Sequence, residues 1–374
     1  METVRTGRYY ARELQRRLAH YVEKRRYGFR DHGSLERAAE TILANRAERG
    51  FEAGGHFRGV WPRDLAFGVR GLSAAGYEEA VAETGRWLVD QLSDSSVFYT
   101  DFHDRFHAAS PAESVDTFPA LVLLLAECGC LREHADAVAD LAAVHRERFV
   151  TDGLVIGSGS PWWDSVAGPR EAYNTAMLLA TVERLEERSV ETTFTGESST
   201  IRAALYSQLW NGRYFDERRG AGRGSGDGNN RSGGQSVLTC DANVVPLYLG
   251  VVDDDRAAAI VSSLERLETP RGLAMRAEPF SHAAVQPFFV LHRDYHYHVW
   301  PWNSLMYAVG LRRYGYDDRA RQEIERVEAL LEPYGNFLEV CTLEGKPYVK
   351  RGYASAEDFT VAAALWTEYH RRTN

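Results

Sequence analysis

The sequence predicts an all-α fold built from helical hairpins, and three observations lead to this prediction. Apolar residues recur at helical spacing through most of the 374 residues, in about a dozen segments, far more than the usual third of a globular chain. Short turns marked by Gly or Asp separate the two helices of a pair, whereas longer segments rich in Trp, His, Tyr and Asp join successive pairs. Evidence for strands is confined to two stretches that suit short hairpins, 212–217 and 346–353.

The predicted helices follow one another in an order that suits a ring. Single segments come first, at 6–27, 35–50 and 61–93. The pairs that follow are 116–130 with 134–150, 170–188 with 199–210, 240–250 with 254–267, and 300–315 with 317–335, and 355–372 closes the chain. A ring of such hairpins would place the plain turns at one end and the longer loops at the other. We therefore expect the loops that carry chemistry to share one end of the molecule.

Length and composition favour one large unit. A hydrophobic content of 44% is enough to bury a large core. Length alone favours two domains, but closed repetitive architectures run longer as one, so we predict a single domain over 1–374. Within it the Gly-rich stretch 217–235 is predicted to be a mobile loop, because such a composition buries too little surface to become ordered.

Charge and cysteine usage exclude several classes of protein. A net charge of -9 and a pI near 5.8 argue against a nucleic-acid partner. The charged N-terminal stretch lacks the apolar core of a signal peptide, and no window approaches the roughly 20 apolar residues of a membrane span. The four cysteines match neither a disulfide framework nor a usual zinc spacing. We expect a cytoplasmic protein with no metal or other cofactor and no membrane contact, and its oligomeric state stays open.

Four of the longer segments carry residues that suit a carbohydrate site. These segments are 56–64, 157–170, 292–304 and 335–348. Three of them contain tryptophan, whose indole face packs well on the C–H groups of a sugar. The alternative is that these tryptophans clasp adjacent hairpins. His296 and His298 stand at H-x-H spacing without a placed carboxylate, which is a weak pattern for a metal site.

Arg63 and Asp64 follow Trp61 and Pro62 at the start of a predicted helix. One interpretation is an N-terminal cluster, because proline and aspartate suit a first helical turn and Asp complements the positive end of the helix dipole. The other is a sugar-binding turn, in which Trp61 supports a sugar ring while Arg63 and Asp64 bind its hydroxyls.

Two acids have sequence surroundings that suit acid–base catalysis. Asp164 is flanked by aromatic residues in "SPWWDS", and burial beside apolar surface raises a carboxyl pKa, as a general acid requires; its other interpretation is a cap for the helix near Arg170. Glu339 lies in the apolar run "NFLEV" and suits a base that activates water, with Glu344 and Glu357 as rival bases. Glycoside hydrolysis uses two such opposed carboxyls.

Six motifs resemble, in order, those of the catalytic domains of glucoamylases, glycogen-debranching amylo-α-1,6-glucosidases and mannosylglycerate hydrolases. They are "VWPRDLAFGVRGL", "SVDTFPALVLLLAE", "SPWWDSVAGPREAYNTAMLL", "LERLETPRGLAMRAE", "HVWPWNSLMYAVGLRRYG" and "GNFLEV". Each motif is short, but their shared order is specific. The matches extend from about residue 50 to the end of the sequence.

The resemblance implies an (α/α)6 toroid of six helical hairpins and an inverting, exo-acting α-glycosidase. Asp164 would be the general acid and Glu339 the general base. The residues expected to bind substrate are Trp61, Arg63, Asp64, Trp163, His298, Trp300 and Trp302. The expected substrate is a small α-linked sugar or oligosaccharide, with α-glucosidase activity first. The alternatives are a mannosyl- or glucosylglycerate hydrolase, in which Arg170, Arg293 or the loop at 217–235 would bind the carboxylate, and a non-catalytic sugar-binding barrel.

Overall fold

The computed structural model describes residues 2–94, 115–156, 170–219, 237–280, 282, 285 and 291–371. Helices dominate these ranges, and the strands are two residues long. The predicted all-α class with minor hairpins is confirmed. The mobile loop predicted at 217–235 lies outside the described residues from 220 onward.

Thirteen α-helices form in the described ranges. They are α1 (Glu2–Tyr27), α2 (Leu35–Ala47), α3 (Pro62–Ala74), α4 (Glu78–Asp94), α5 (Thr117–Glu127), α6 (Ala135–Phe149), α7 (Glu171–Glu187), α8 (Ser198–Leu209), α9 (Asp241–Leu249), α10 (Asp254–Leu264), α11 (Pro301–Arg313), α12 (Asp317–Leu331) and α13 (Thr360–Arg371). The paired helices predicted from the sequence are present, with ends that shift by a few residues.

Six helices form a closed inner ring. Contacts run from α3 to α5, α7, α9, α11 and α13 in turn, and α13 packs back on α3. On the outside, α4 packs on α3 and α5, α6 on α5, α8 on α7, α12 on α11, and α2 on α13. The last inner helix therefore pairs with the first outer helix. With α10, which follows α9 after a four-residue turn, this completes six hairpins in a toroid.

Burial separates the two rings. Every residue of α5 from Thr117 to Ala126 is buried, as is every residue of α7 from Glu171 to Val182. In the outer helix α12 the buried positions recur at helical spacing, at Ala320, Glu323, Ile324, Val327, Leu330 and Leu331. A helix that is apolar all round belongs in the interior and a one-sided helix at the surface, so the sequence pattern itself sorts the helices into two rings.

The connections differ in length at the two ends of the toroid. Inner helices lead into outer ones through short turns at 75–77, 250–253 and 314–316. Outer helices lead into inner ones through the long segments 48–61, 150–170, 210–240, 265–300 and 332–359. The long segments thus precede the N-termini of the inner helices, as the ring hypothesis predicted.

Backbone hydrogen bonds hold the long segment 265–300 together and join three of the long segments to one another. The amide of Met275 donates to the His298 carbonyl at 3.0 Å, and Val299 forms a bridge with Cys341. On the far side, the amide of Thr360 donates to the Ala53 carbonyl at 2.9 Å. The long segments before α3, α11 and α13 consequently form one continuous layer over the same end of the ring.

Three hairpins interrupt the helices. They pair β1 (Val150–Thr151) with β2 (Leu154–Val155), β3 (Glu268–Thr269) with β4 (Gly272–Leu273), and β5 (Val349–Lys350) with β6 (Tyr353–Ala354), all antiparallel. The hairpin predicted at 346–353 is confirmed. Near the one predicted at 212–217, the chain turns back on itself with an antiparallel bridge between Trp210 and Phe215 but no longer strand pair. The first two hairpins were not predicted because two-residue strands show no alternation of apolar and polar residues.

The closing helix begins later than the sequence predicted. The expected start was Ser355, but α13 starts at Thr360. Ser355 and Ala356 instead continue the loop layer, where the amide of Ser355 donates to Tyr348 and the carbonyl of Ala356 accepts from Glu339. These backbone groups are already used, so they cannot enter a helix.

Two further findings concern the whole of the described chain. None of its helices is long and apolar enough to cross a bilayer. The four cysteines are free thiols, and three of them, Cys130, Cys240 and Cys341, are buried.

We expect Gly71→Ala to destabilise the protein, because ring closure brings α13 against the backbone of α3. A Cβ at Gly71 would lie 1.8 Å from the carbonyl oxygen of Ala364, so the helices must separate. Overpacking of this kind costs about 1–3 kcal/mol or more. Thermal denaturation should show a melting temperature several degrees lower.

The matched control is Gly85→Ala in α4, where the nearest atom to a new Cβ is Leu125 Cδ2 at 3.4 Å. This variant should melt within a degree or two of wild type, or higher, because Ala favours a helix over Gly. Equal melting temperatures for Gly71→Ala and wild type would contradict the close packing of α3 on α13.

Candidate active site

The N-termini of the inner helices meet at the end of the toroid that the long segments cover. Arg63 at the start of α3 reaches Asp116, which precedes α5, and Arg170 before α7 reaches Glu217, which also contacts Arg276 in the segment before α11. Each helix N-terminus carries a partial positive charge, so this end of the ring favours carboxylates and other negative groups. We call it the mouth.

Arg63 lies between two carboxylates at the mouth. Its Nε lies 3.2 Å from Asp64 Oδ1 and its Nη1 3.3 Å from Asp116 Oδ2, while its guanidinium lies 5.5 Å from the Trp61 ring. Trp61 is the N-cap of α3, and no side-chain hydrogen bond caps that helix. Asp64 lies in the first turn of α3 and is also engaged with Arg63, so the N-terminal cluster and the sugar-binding turn both stay predictions for this pair.

Burial gives Asp64 an unusual ionisation. It raises the pKa of the Asp64 carboxyl, and the neighbouring Arg63 offsets only part of that rise. Tyr173, on the facing side of α7, feels the charges of Asp116 and Asp241, which add to burial in raising the pKa of its hydroxyl. Polar groups from α3, α5, α7 and α9 therefore face one another across a small, poorly solvated space.

Glu339 is held on three sides within the loop layer. Its Oε1 accepts from the Tyr295 hydroxyl, and its Oε2 accepts from the Tyr353 hydroxyl at 2.6 Å and from the Ala356 amide at 3.1 Å. Only 4% of the residue is exposed. The neighbours Phe337, Leu338 and Val340 are fully buried, as their apolar character predicted, so they fix the backbone that carries the carboxylate.

Two opposing effects set the ionisation of Glu339. Burial raises the pKa of its carboxyl and is the larger effect, whereas the donors on Tyr295, Tyr353 and Ala356 stabilise the charged form and lower it. The net pKa lies above the ordinary value for glutamate. A carboxylate of this kind is more basic than a solvated one and is fixed in direction.

The rival bases lie in different settings. Glu344 is exposed in a turn, and a hydrogen bond with Thr342 lowers the pKa of its carboxyl. Glu357 is buried but forms an ion pair with Lys24 at 2.5 Å and accepts the Arg30 amide at 2.8 Å. It does not cap α13, which starts three residues later. Neither acid shares the environment of Glu339.

Trp300 and Trp302 lie at the start of α11 beside Tyr295. The ring centroids of Trp300 and Tyr295 are 4.9 Å apart, those of the two indoles 5.8 Å, and Trp300 Nε1 donates to the Tyr295 carbonyl at 3.1 Å. Each tryptophan is only 4% exposed. They offer little free surface to a sugar and chiefly support Tyr295, whereas Trp61 is partly buried and presents more of its ring.

His298 lies at the edge of the same loop. Its Nε2 is 3.6 Å from Asp294 Oδ2, and its ring packs on Tyr348 at 5.4 Å. Asp294 also accepts hydrogen bonds from Tyr348 and Lys350. The described part of the chain contains no group of three or more His, Cys, Asp or Glu side chains arranged to hold a metal ion.

A buried cluster of two arginines and one glutamate borders the mouth at α7. Glu217 Oε2 lies 2.5 Å from Arg170 Nη1 and 3.0 Å from Arg276 Nη1, and Phe280 packs on both guanidiniums. Burial alone would raise the pKa of Glu217, but the two guanidiniums outweigh it and hold that pKa below its usual value. The same guanidiniums add to burial in lowering the pKa of the nearby His296.

Some of the predicted site residues lie together in the structure, and two lie outside the described residues. Trp61, Arg63 and Asp64 lie together at the mouth, and Glu339, Trp300 and His298 lie together in the loop layer. Asp164 and Trp163 lie outside the described residues.

Sequence reasoning missed Tyr295, Tyr353, Asp116, Arg276 and Glu217. Tyr295 lies in "HRDYHYH", where only the histidines were weighed, as a weak pattern for a metal site. The other four residues are recognisable only through their contacts in the fold, because their partners are 14 to 59 residues away in sequence.

Comparison with known proteins bears on the fold and the class of enzyme. Residues 171–341 match the model of the mannosylglycerate hydrolase MGH1-like glycoside hydrolase domain. Sequence comparison with curated proteins gives no significant match.

Solved structures share the fold. A GH63 mannosylglycerate hydrolase from Thermus thermophilus in complex with glucose superposes with a TM-score of 0.58 at 18% identity, over 89% of this chain and 98% of that one. The same enzyme with Tris and D-glycerate gives a TM-score of 0.61 at 17% identity, over 90% and 100%. A wild-type glycosidase gives 0.62 at 14% identity, over 94% and 96%. The chain therefore has the six-hairpin fold of these glycosidases and, with its family match over 171–341, is a glycoside hydrolase.

Proposed function

We propose that the chain is an inverting, exo-acting α-glycosidase that releases the terminal sugar of a small α-linked glycoside, with Glu339 as general base. One observation carries this proposal: a buried carboxylate, fixed by two tyrosine hydroxyls and an amide, lies in the loop layer over the inner-helix N-termini. A base must be held within hydrogen-bond reach of its water, and these three donors leave the carboxylate little freedom to turn away.

Water attacks the anomeric carbon as Glu339 removes its proton. The raised pKa of Glu339 favours this transfer, because a more basic carboxylate is a better proton acceptor. The bond to the leaving oxygen breaks in the same step as a general acid protonates that oxygen, which inverts the anomeric configuration.

We assign the acid to Asp164, in the segment that leads into α7. The acids of the described mouth suit the role less well. Glu217 has a lowered pKa and is ionised near neutral pH, and Asp64 is paired with Arg63. An acid that must hold its proton near neutral pH needs an apolar setting, and the aromatic flanks of Asp164 provide one in the sequence.

The terminal sugar would rest on Trp61, with its hydroxyls bound by Arg63 and Asp64. The Arg63 guanidinium is oriented by two carboxylates and an indole before substrate arrives, so little freedom is lost on binding. Asp116 also orients Arg63, although it was not predicted as a site residue from the sequence.

Two substrate classes fit. An α-glucoside is the first candidate. A mannosyl- or glucosylglycerate is the second, and the cluster at α7 favours it: Arg170 and Arg276 share one glutamate, which leaves a net positive charge where a glycerate carboxylate could bind. Arg293, the other arginine named for this role, is half-buried, and its Nη1 lies 3.4 Å from His282 Nδ1.

We expect wild-type protein to release hexose from one member of a panel of α-linked disaccharides and hexosylglycerates, with the β-anomer appearing first. Proton NMR of the fresh product measures both. Glu339→Gln should lower kcat by about 10²–10⁴-fold, because the amide cannot accept the proton of water. The matched control is Glu344→Gln, whose exposed side chain should be dispensable.

Three outcomes would contradict the proposal. An α-anomer released first means retention and removes the water-activating role of Glu339. Activity of Glu339→Gln within tenfold of wild type excludes it as base. Sugar binding by wild-type protein without turnover on any substrate of the panel favours the non-catalytic alternative.

Tyr353→Phe should shift the acidic limb of the pH dependence of kcat/KM to higher pH. The hydroxyl donates to Glu339, so its loss destabilises the carboxylate and raises the pKa of Glu339 further. A hydrogen bond to a charged group is worth about 1.5–3 kcal/mol, which corresponds to a shift of about one to two pH units.

The control is Tyr348→Phe, because that hydroxyl donates to Asp294 at 3.0 Å in the same aromatic cluster. The acidic limb of the pH dependence of kcat/KM should be the same for Tyr348→Phe and for wild type. Coincident profiles for Tyr353→Phe and wild type would show that the titrating base is another group.

Arg63→Ala should lower kcat/KM by roughly 10–150-fold, the equivalent of losing a charge-assisted hydrogen bond of about 1.5–3 kcal/mol to a sugar hydroxyl. Steady-state kinetics and a melting curve are measured on the same preparation. Full activity combined with a lower melting temperature would mean that Arg63 only neutralises Asp64 and Asp116.

A further inference from the structure

A second cavity lies outside the mouth, between the C-terminal half of α1, the end of α2 and the segments around 55–58 and 357–358. Its volume is about 710 Å³, within the 300–1,000 Å³ of typical small-molecule sites. Neither Glu339 nor Arg63 lines it. The cavity therefore needs its own explanation.

One wall of this cavity carries three arginines around a single acid. Glu52, whose side chain is 2% exposed, accepts a hydrogen bond of 2.9 Å from Arg46. Arg49 and Arg58 lie farther from the same oxygen, at 3.9 and 3.5 Å, and make no hydrogen bond to it by the usual geometry. Three positive charges face one negative charge at this wall.

Arg49 and Arg58 are also accessible. Their side chains are 46% and 40% exposed and both line the cavity. Each guanidinium has five N–H donors in a planar fork that matches a carboxylate or phosphate. The donors that Glu52 does not use are available to an anion entering the cavity.

A second part of the lining, the acidic wall, carries Glu357 and Asp358, whose carboxylates are already paired with cations. Glu357 pairs with Lys24 at 2.5 Å, and Asp358 pairs with Arg30 and His32 at 2.9 Å each. These carboxylates keep lone pairs that can accept from hydroxyl groups. Glu23 and Glu48 also line the cavity, and both are exposed, so solvent screens their charges.

We propose that this cavity is a binding site for a small polyhydroxylated anion, a sugar that carries a phosphate or a carboxylate. Arg49 and Arg58 hold the anionic group, and Glu357 and Asp358 accept hydrogen bonds from the hydroxyls. Charge on one wall and acceptors on the other match the two parts of such a molecule. The site is separate from the proposed glycosidase site and does not depend on it.

Calorimetric titration tests the proposal with four probes: glucose 6-phosphate, gluconate, inorganic phosphate and neutral glucose. Wild-type protein should bind glucose 6-phosphate or gluconate, more weakly as salt is added. The double variant Arg49→Gln/Arg58→Gln should lose roughly tenfold or more in affinity for that anion. Its affinity for neutral glucose should be unchanged.

Arg37→Gln is the matched control, because Arg37 is exposed on the first turn of α2 and does not line the cavity. The single variant Arg49→Gln serves if the double variant melts early. Wild-type and Arg-variant proteins that bind the sugar anion equally would overturn the proposal, as would wild-type protein that binds neither sugar anion at millimolar concentration. Inorganic phosphate bound as tightly as glucose 6-phosphate would overturn the role of the acidic wall.

Discussion

Closure of the inner ring is the constraint on which the rest of the structure depends. The last inner helix, α13, packs on the first, α3, so closely that Gly71 meets the backbone of Ala364 without room for a side chain. Closure fixes the six inner helices relative to one another and leaves their N-termini at one end. Residues that are far apart in sequence, such as Arg63 and Asp116, become neighbours there because adjacent inner helices pack side by side.

The mouth combines two physical effects that act against each other. Helix N-termini and arginines favour ionised carboxylates, whereas burial under the loop layer favours neutral ones. The balance differs from group to group: Glu217, between two guanidiniums, has a lowered pKa, and Glu339, among tyrosines, has a raised one. A six-hairpin ring can thus hold carboxyls of different basicity close to one another, which acid–base chemistry on a glycosidic bond requires.

The sequence predicted the helices well because apolar residues recur at helical spacing in both the inner and the outer helices. It also predicted that Glu339 would be fixed, from the apolar residues on either side. The tyrosines that bind Glu339 could not be predicted, since Tyr295 lies 44 residues earlier in the sequence and meets it only through the bridge of Val299 with Cys341. The late start of α13 was missed for the same reason, as tertiary hydrogen bonds to Tyr348 and Glu339 override the helical pattern.

One chemical arrangement occurs twice with different consequences. At the mouth, Glu217 is shared by two arginines that are almost fully buried, and Phe280 covers both guanidiniums, so the cluster serves as a fixed positive wall. Beside α2, Glu52 is shared by three arginines, of which two reach solvent and line a cavity. Burial fixes the first cluster as a positive wall of the proposed glycosidase site, and exposure leaves two arginines of the second cluster open to solvent. The same residue types therefore form a rigid, buried wall at one place and a solvent-accessible wall at the other, and solvent access, rather than charge alone, distinguishes them.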